Sequence, residues 1–224
     1  MKRVVSFLIL CCAVPAVVIS GALLLPGKRY VWISLCVAVL SCVPFFLRFE
    51  RREANVGRTV LIAVMTALTV LSRIVFAAIP GFKPVTALVV ITAMYFGGEA
   101  GFLTGSLAAL ISNIYFGQGP WTPFQMFAWG IVGFLAGLLA RPLKRHLGAL
   151  LVYGAFSGVL FSFLMDIWTV LSIDGYFNPT RYAAALASAA PYTVLYAVSN
   201  VLFLLVFSKP LGAILKRIKR KYGL

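Results

Sequence analysis

Arg73 and Asp166 are the residues hardest to reconcile with their surroundings, since each interrupts a long apolar run. A charge there is costly unless it meets a partner or water. Each lies about six residues from the end of its run, hence ~9 Å beneath the same boundary at 1.5 Å per residue. Two uses are open to them: a buried ion pair that fixes the register of a helix bundle, or two separate holds on a polar solute.

A second group surrounds the stretch Phe116-Gly117-Gln118-Gly119-Pro120-Trp121-Thr122-Pro123. Gln118, Trp121, Thr122 and Gln125 lie in or beside it, Asn113 and Tyr115 just before it, and Trp129 one turn further on. Aromatic walls carrying a few amides suit a flat, polar solute. An interfacial aromatic belt accounts for Trp121 and Tyr115, but less readily for clustered amides. A third stretch, 172–182, offers Asp174, Tyr176, Asn178 and Arg181, either to close over a ligand or simply to form the turn that Asp-Gly and Asn-Pro favour.

Enzymatic reagents are scarce. The single histidine, His146, sits in a basic loop, and there is no HExxH, no Gly-x-Ser-x-Gly elbow, no pair of intramembrane carboxylates and no Walker A sequence. Cys11, Cys12, Cys36 and Cys42 fall in apolar runs, where they serve as small hydrophobes without metal-ligand spacing. No metal or cofactor is expected.

The elements that must position these groups are membrane helices. With 62% hydrophobic and 11% charged residues and a mean hydropathy of +1.01, the chain cannot assemble a soluble surface. Its apolar runs lack the period-two alternation of a membrane barrel. The expected fold is all-α with eight transmembrane helices, at about 4–25, 31–47, 59–79, 84–96, 101–116, 123–140, 149–172 and 183–208. The first two form a hairpin within 1–47, read as an uncleaved anchor rather than a signal peptide. A basic linker at 48–58 separates them from a six-helix bundle at 59–208, and a basic amphipathic tail at 209–224 is expected on the inner leaflet. The 84–96 span is short, which predicts irregular backbone before it or a cavity at that end.

The net charge of +15 reflects topology rather than nucleic-acid binding, since the cations cluster at membrane boundaries. With both termini in the cytoplasm, fifteen cations fall inside and only Lys28, Arg29, Lys83 and Arg181 outside. Gly97, Gly101 and Gly105, Gly133 and Gly137, and Ala63 and Ala67 mark close helix-packing faces.

Taken together, Phe82-Lys83-Pro84-Val85-Thr86, Gly97-Gly98-Glu99-Ala100-Gly101-Phe102 and the run from Phe116 to Gly130 resemble the substrate-binding S-components of energy-coupling factor (ECF) transporters, in a branch often linked with cobalamin. The resemblance covers about 55–208. It implies a high-affinity binder without its own ATPase, in the plasma membrane of a prokaryote, that captures a vitamin-like solute. It also implies partners: a transmembrane scaffold subunit and two ATP-binding-cassette subunits, with Ala63 and Ala67 as the docking pair. The solute is then expected beneath the loops at 80–84, 116–123 and 173–182, held by Arg73, Lys83, Asn113, Tyr115, Gln118, Trp121, Gln125, Trp129, Asp166, Tyr176 and Asn178. The N-terminal hairpin departs from the six-helix pattern. Two other readings stand beside this one: a self-sufficient secondary transporter using Arg73 and Asp166 as an ion-coupled pair, and a non-transporting membrane scaffold.

Overall fold

The computed structural model describes residues 56–223 together with Cys42. The two expected N-terminal spans therefore lie outside the described residues, except that Cys42 is helical and buried against Phe102, as a small hydrophobe should be. Among the described residues the structure is all-helical: α1 Val56–Val75, α2 Val85–Phe96, α3 Gly98–Phe116, α4 Thr122–Leu138, α5 Ala140–Arg145, α6 Leu147–Asp174 and α7 Pro179–Tyr222. Six of these coincide with the last six expected spans, and α5 is an additional short turn of helix in the basic loop. By length and composition α1, α6 and α7 can each cross a membrane, while α2 and α4 are shorter apolar helices.

The short span is the centre of the bundle. Ten consecutive residues of α2, Val85 to Met94, are buried, and α2 packs against each of the other six described helices. A helix that is apolar on every side belongs inside protein rather than at a lipid boundary, so its length of about 18 Å need not match the bilayer. The preceding stretch, 76–84, is irregular, as the shortness of the span predicted. At the other end, Gly97 adopts φ 91° and turns the chain directly into α3, while Arg58 Nη2 donates to the Phe96 carbonyl at 3.0 Å. That bond satisfies one of the terminal carbonyls of α2.

The glycines between 97 and 137 make α3 and α4 a closely apposed pair. A methyl group on Gly98 would come within 2.8 Å of the Phe134 carbonyl oxygen, one on Gly101 within 2.7 Å of the Gly133 oxygen, and one on Gly105 within 2.5 Å of the Trp129 oxygen. Only hydrogen fits where the two backbones approach this closely. Exposure separates the remaining faces of α1: Leu61, Ile62, Met65, Thr66 and Thr69 face the bundle, whereas Ala63 and Ala67 are exposed beside Val64, Leu68 and Leu71.

The basic tail is not a separate element. α7 continues through Pro191 and Pro210 to Tyr222, and the apolar side of its last turns packs on the bundle: Leu215 is buried, Gly212 abuts the Tyr95 hydroxyl and Lys219 Nζ donates to the Tyr95 carbonyl at 3.3 Å. Of the tail's apolar residues, Leu211, Leu215 and Ile218 pack on the bundle and Ile214 stays exposed, so part of the face expected on lipid is covered by protein.

Candidate functional site

Three connections gather at one end of the bundle: 76–84 between α1 and α2, 117–121 between α3 and α4, and 175–178 between α6 and α7. Beside the first of them a cavity of about 110 Å³ is lined by Arg73 from α1, Gly81 and Lys83 from the first connection, Val85 and Thr86 from α2, Gln125 and Trp129 from α4, Gly158 and Phe161 from α6, and Tyr196 and Asn200 from α7.

Arg73 is positioned by a directional relay. Its Nη1 donates to Asn113 Oδ1 at 2.7 Å and also to the Ser112 hydroxyl. A guanidinium can only donate, so the Asn113 amide must turn its oxygen to Arg73 and its nitrogen the other way. Asn113 Nδ2 accordingly donates to Thr122 Oγ1 at 2.9 Å, Thr122 donates to Gln118 Oε1 at 3.0 Å, and Gln118 Nε2 donates to the Leu110 carbonyl at 2.7 Å. The relay fastens the 117–121 connection to α3 and leaves the guanidinium facing rings. It lies 4.5 Å from the Phe116 centroid and 4.9 Å from that of Trp129.

Lys83 approaches the same Phe116 ring, at 4.7 Å. Its backbone is clamped to α7, with its N–H donating to Ser199 Oγ at 3.0 Å and its carbonyl accepting from that hydroxyl at 3.3 Å. Burial, and then the charge of Arg73, hold the Lys83 ammonium below the usual lysine range. The opposite wall is aromatic: Trp129 stacks on Phe161 at 5.1 Å and 15°, and Tyr196 meets Phe161 edge-on at 5.7 Å. Gln125 is buried at 8% exposure, and its Oε1 has no hydrogen-bond partner.

Residues 53–217, well over half of the chain, match the family of the ECF-type riboflavin transporter S component. The chain belongs to that family. Its members are substrate-binding components of transporters rather than enzymes, and membership makes this a multi-pass membrane protein that works with partner subunits. No curated protein and no solved structure matches the chain.

Within this S component the residues singled out from sequence separate into three groups. Arg73, Lys83, Gln125 and Trp129 line the cavity. Asn113 and Gln118 stand behind it as parts of the relay, and Asn178 caps α7 by accepting from the N–H groups of Thr180 and Arg181. Tyr115, Trp121 and Tyr176 are exposed. Tyr115 points away because it sits two residues past Asn113, roughly 200° around the helix.

Arg73 bonds to Ser112 and Asn113, not to Asp166, so the ion pair open to them in the sequence is not formed. Asp166 keeps one buried oxygen without a hydrogen-bond partner, and Tyr196 lies within electrostatic reach of both charges. Phe161, Tyr196 and Asn200 were not singled out from sequence, and Thr86 entered only within the stretch Phe82 to Thr86. They stand within apolar runs, and the one local signal was the mild polarity of Tyr196 and Asn200, four residues apart on one face of α7.

Proposed function

We propose that this S component captures a vitamin-like solute in the cavity beside the 76–84 connection and delivers it through a scaffold subunit driven by two ATP-binding-cassette subunits. The observation that carries this reading is the cavity itself: a guanidinium held from behind by its own relay, facing a Trp129–Phe161 stack that suits a planar ring. The distribution of cations supports a reading in which this end of the bundle faces outside the plasma membrane and both termini the cytoplasm, in an eight-span chain.

The name of the family points to a flavin. Cobalamin, which the sequence resemblance suggests, is several times bulkier, and a cavity of about 110 Å³ is already smaller than the ~300–1,000 Å³ that encloses drug-sized ligands. Either solute requires the loops to part, and the smaller planar one requires less. Ala63 and Ala67, exposed on the outer face of α1, provide the docking face for the scaffold.

Purification of the full chain with mass spectrometry of whatever co-purifies tests capture. A stoichiometric vitamin-sized molecule, with no uptake by the lone protein in vesicles, is expected; gradient-driven uptake by the protein alone would replace this reading with a secondary transporter. Substituting Ala63 and Ala67 with leucine should abolish ATP-dependent uptake in the assembled complex while solute binding persists. Loss of both together would assign that face to the bundle instead.

A further inference from the structure

The charges around the cavity do not balance. Arg73 and Lys83 both line it, and both lean on the single Phe116 ring. Among the described residues no acidic side chain supplies a counter-charge here. Asp174 is engaged by Arg181 Nε at 2.6 Å. Glu99 stands in the first turn of α3, at the end of the bundle away from the cavity. Asp166 forms no ion pair with either cation and does not line the cavity. Two like charges in a half-dry site repel one another, and the face of an aromatic ring is a weaker partner than an anion. The relay through Asn113 keeps Arg73 in place despite this cost. Such an arrangement is useful if the missing negative charge arrives with the ligand.

A second observation independently points to a ligand in the same cavity. The Gln125 amide lines it, is more than nine-tenths buried, and leaves Oε1 without a partner. A buried amide oxygen left unpaired is costly, and native proteins rarely keep one without a use.

We propose that the solute of this site is an acid: a planar ring system bearing a carboxylate or phosphate that seats between Arg73 and Lys83, while a polar edge of the ring bonds Gln125. The inference rests on the solute-capture reading above and narrows its substrate class, since riboflavin itself carries no such charge. Arg73 has a planar fork of donors suited to either oxyanion, and Lys83 adds a point charge on a side chain whose backbone alone is clamped.

Binding to the purified full-length protein in nanodiscs separates the alternatives, with four probes: riboflavin, riboflavin 5′-phosphate, folate and cobalamin. An acidic planar probe is expected to bind at least about tenfold tighter than riboflavin, as charge-assisted hydrogen bonds in a desolvated site allow. Riboflavin 5′-phosphate in first place assigns a phosphate, and folate a carboxylate. Lys83→Gln, on a connection where folding is least at risk, should collapse the preference for the acidic probe towards that of the neutral one. Arg73→Lys should weaken it in part, because the charge remains and the fork is lost. Riboflavin or cobalamin bound as tightly as either acid, or a preference for the acid untouched by Lys83→Gln, would overturn the acidic substrate and leave solute capture standing. Failure of all four to bind would count against both.

Discussion

The two walls of the cavity are built differently. The α3–α4 wall is locked: its glycines bring backbone against backbone over successive turns, and the Asn113–Thr122–Gln118 relay ties the adjoining connection down. The α6–α7 wall is joined by side chains. Asn200 Nδ2 donates to the Gly154 carbonyl at 3.2 Å and Ser162 meets Thr193 at 2.7 Å, while only Gly158 brings the two backbones equally close. Pro191 further removes a backbone donor from α7. The contrast assigns preorganisation to one wall, which holds the Asn113 relay and Gln125, and accommodation to the other, which carries Phe161 and Tyr196.

The comparison breaks most sharply at the seam. Gly101→Leu drives a side chain into the Gly133 carbonyl, which cannot rotate away, so destabilisation at or above the upper end of ~1–3 kcal/mol is expected. A lowered thermal midpoint and poor monodispersity in detergent would show it; an unaffected protein would mean the seam yields. Asn113→Ala should cost about 1–2 kcal/mol by leaving Arg73 and Thr122 short of partners. Solute affinity should fall with it, and if only stability falls, Arg73 does not depend on the relay for its aim. Gly154→Ala, on the yielding wall, meets chiefly Leu204 Cδ1, which can rotate, so a change within ~0.5 kcal/mol is expected. A loss as large as that at Gly101 would erase the difference between the walls.

The smallest effect concerns Lys83. Its pKa is lowered in the folded protein from 10.5, so within the window between the lowered value and 10.5 the unfolded chain binds more protons. Stability relative to Lys83→Gln should therefore rise with pH across that window. A thermal midpoint that moves in parallel for both proteins would remove the electrostatic strain attributed to this side chain.

Much of this was legible in the chain. Hydropathy gives the last six helices, the short span announces α2 as exceptional, and the glycine spacing marks the α3–α4 seam before any coordinate is known. Arg73, Lys83, Gln125 and Trp129 stand out because polar or bulky residues near loop ends are conspicuous in an apolar sequence. Counting along apolar runs fixes neither where a helix ends nor its azimuth. Arg73 and Asp166 were assigned one depth, yet α1 ends two residues after Arg73 and α6 eight residues after Asp166, and Asn113 faces inward while Tyr115, two residues on, faces out. Phe161 and Tyr196 were hidden for the complementary reason: an aromatic residue within a span has no distinguishing pattern until its neighbours are known.

The unbroken course of α7 has a mechanical consequence. From Asn200 at the cavity to Tyr222 is about 33 Å of helix at 1.5 Å per residue, so a tilt of 5° pivoting at Asn200 swings the far tip by about 3 Å. That rod passes beneath Tyr95 and carries Lys216, Arg217, Lys219, Arg220 and Lys221 at its tip. A ring wedged against Tyr196 would thus be amplified into a displaced cluster of cations at the opposite end, making the loaded state readable by whatever touches that surface.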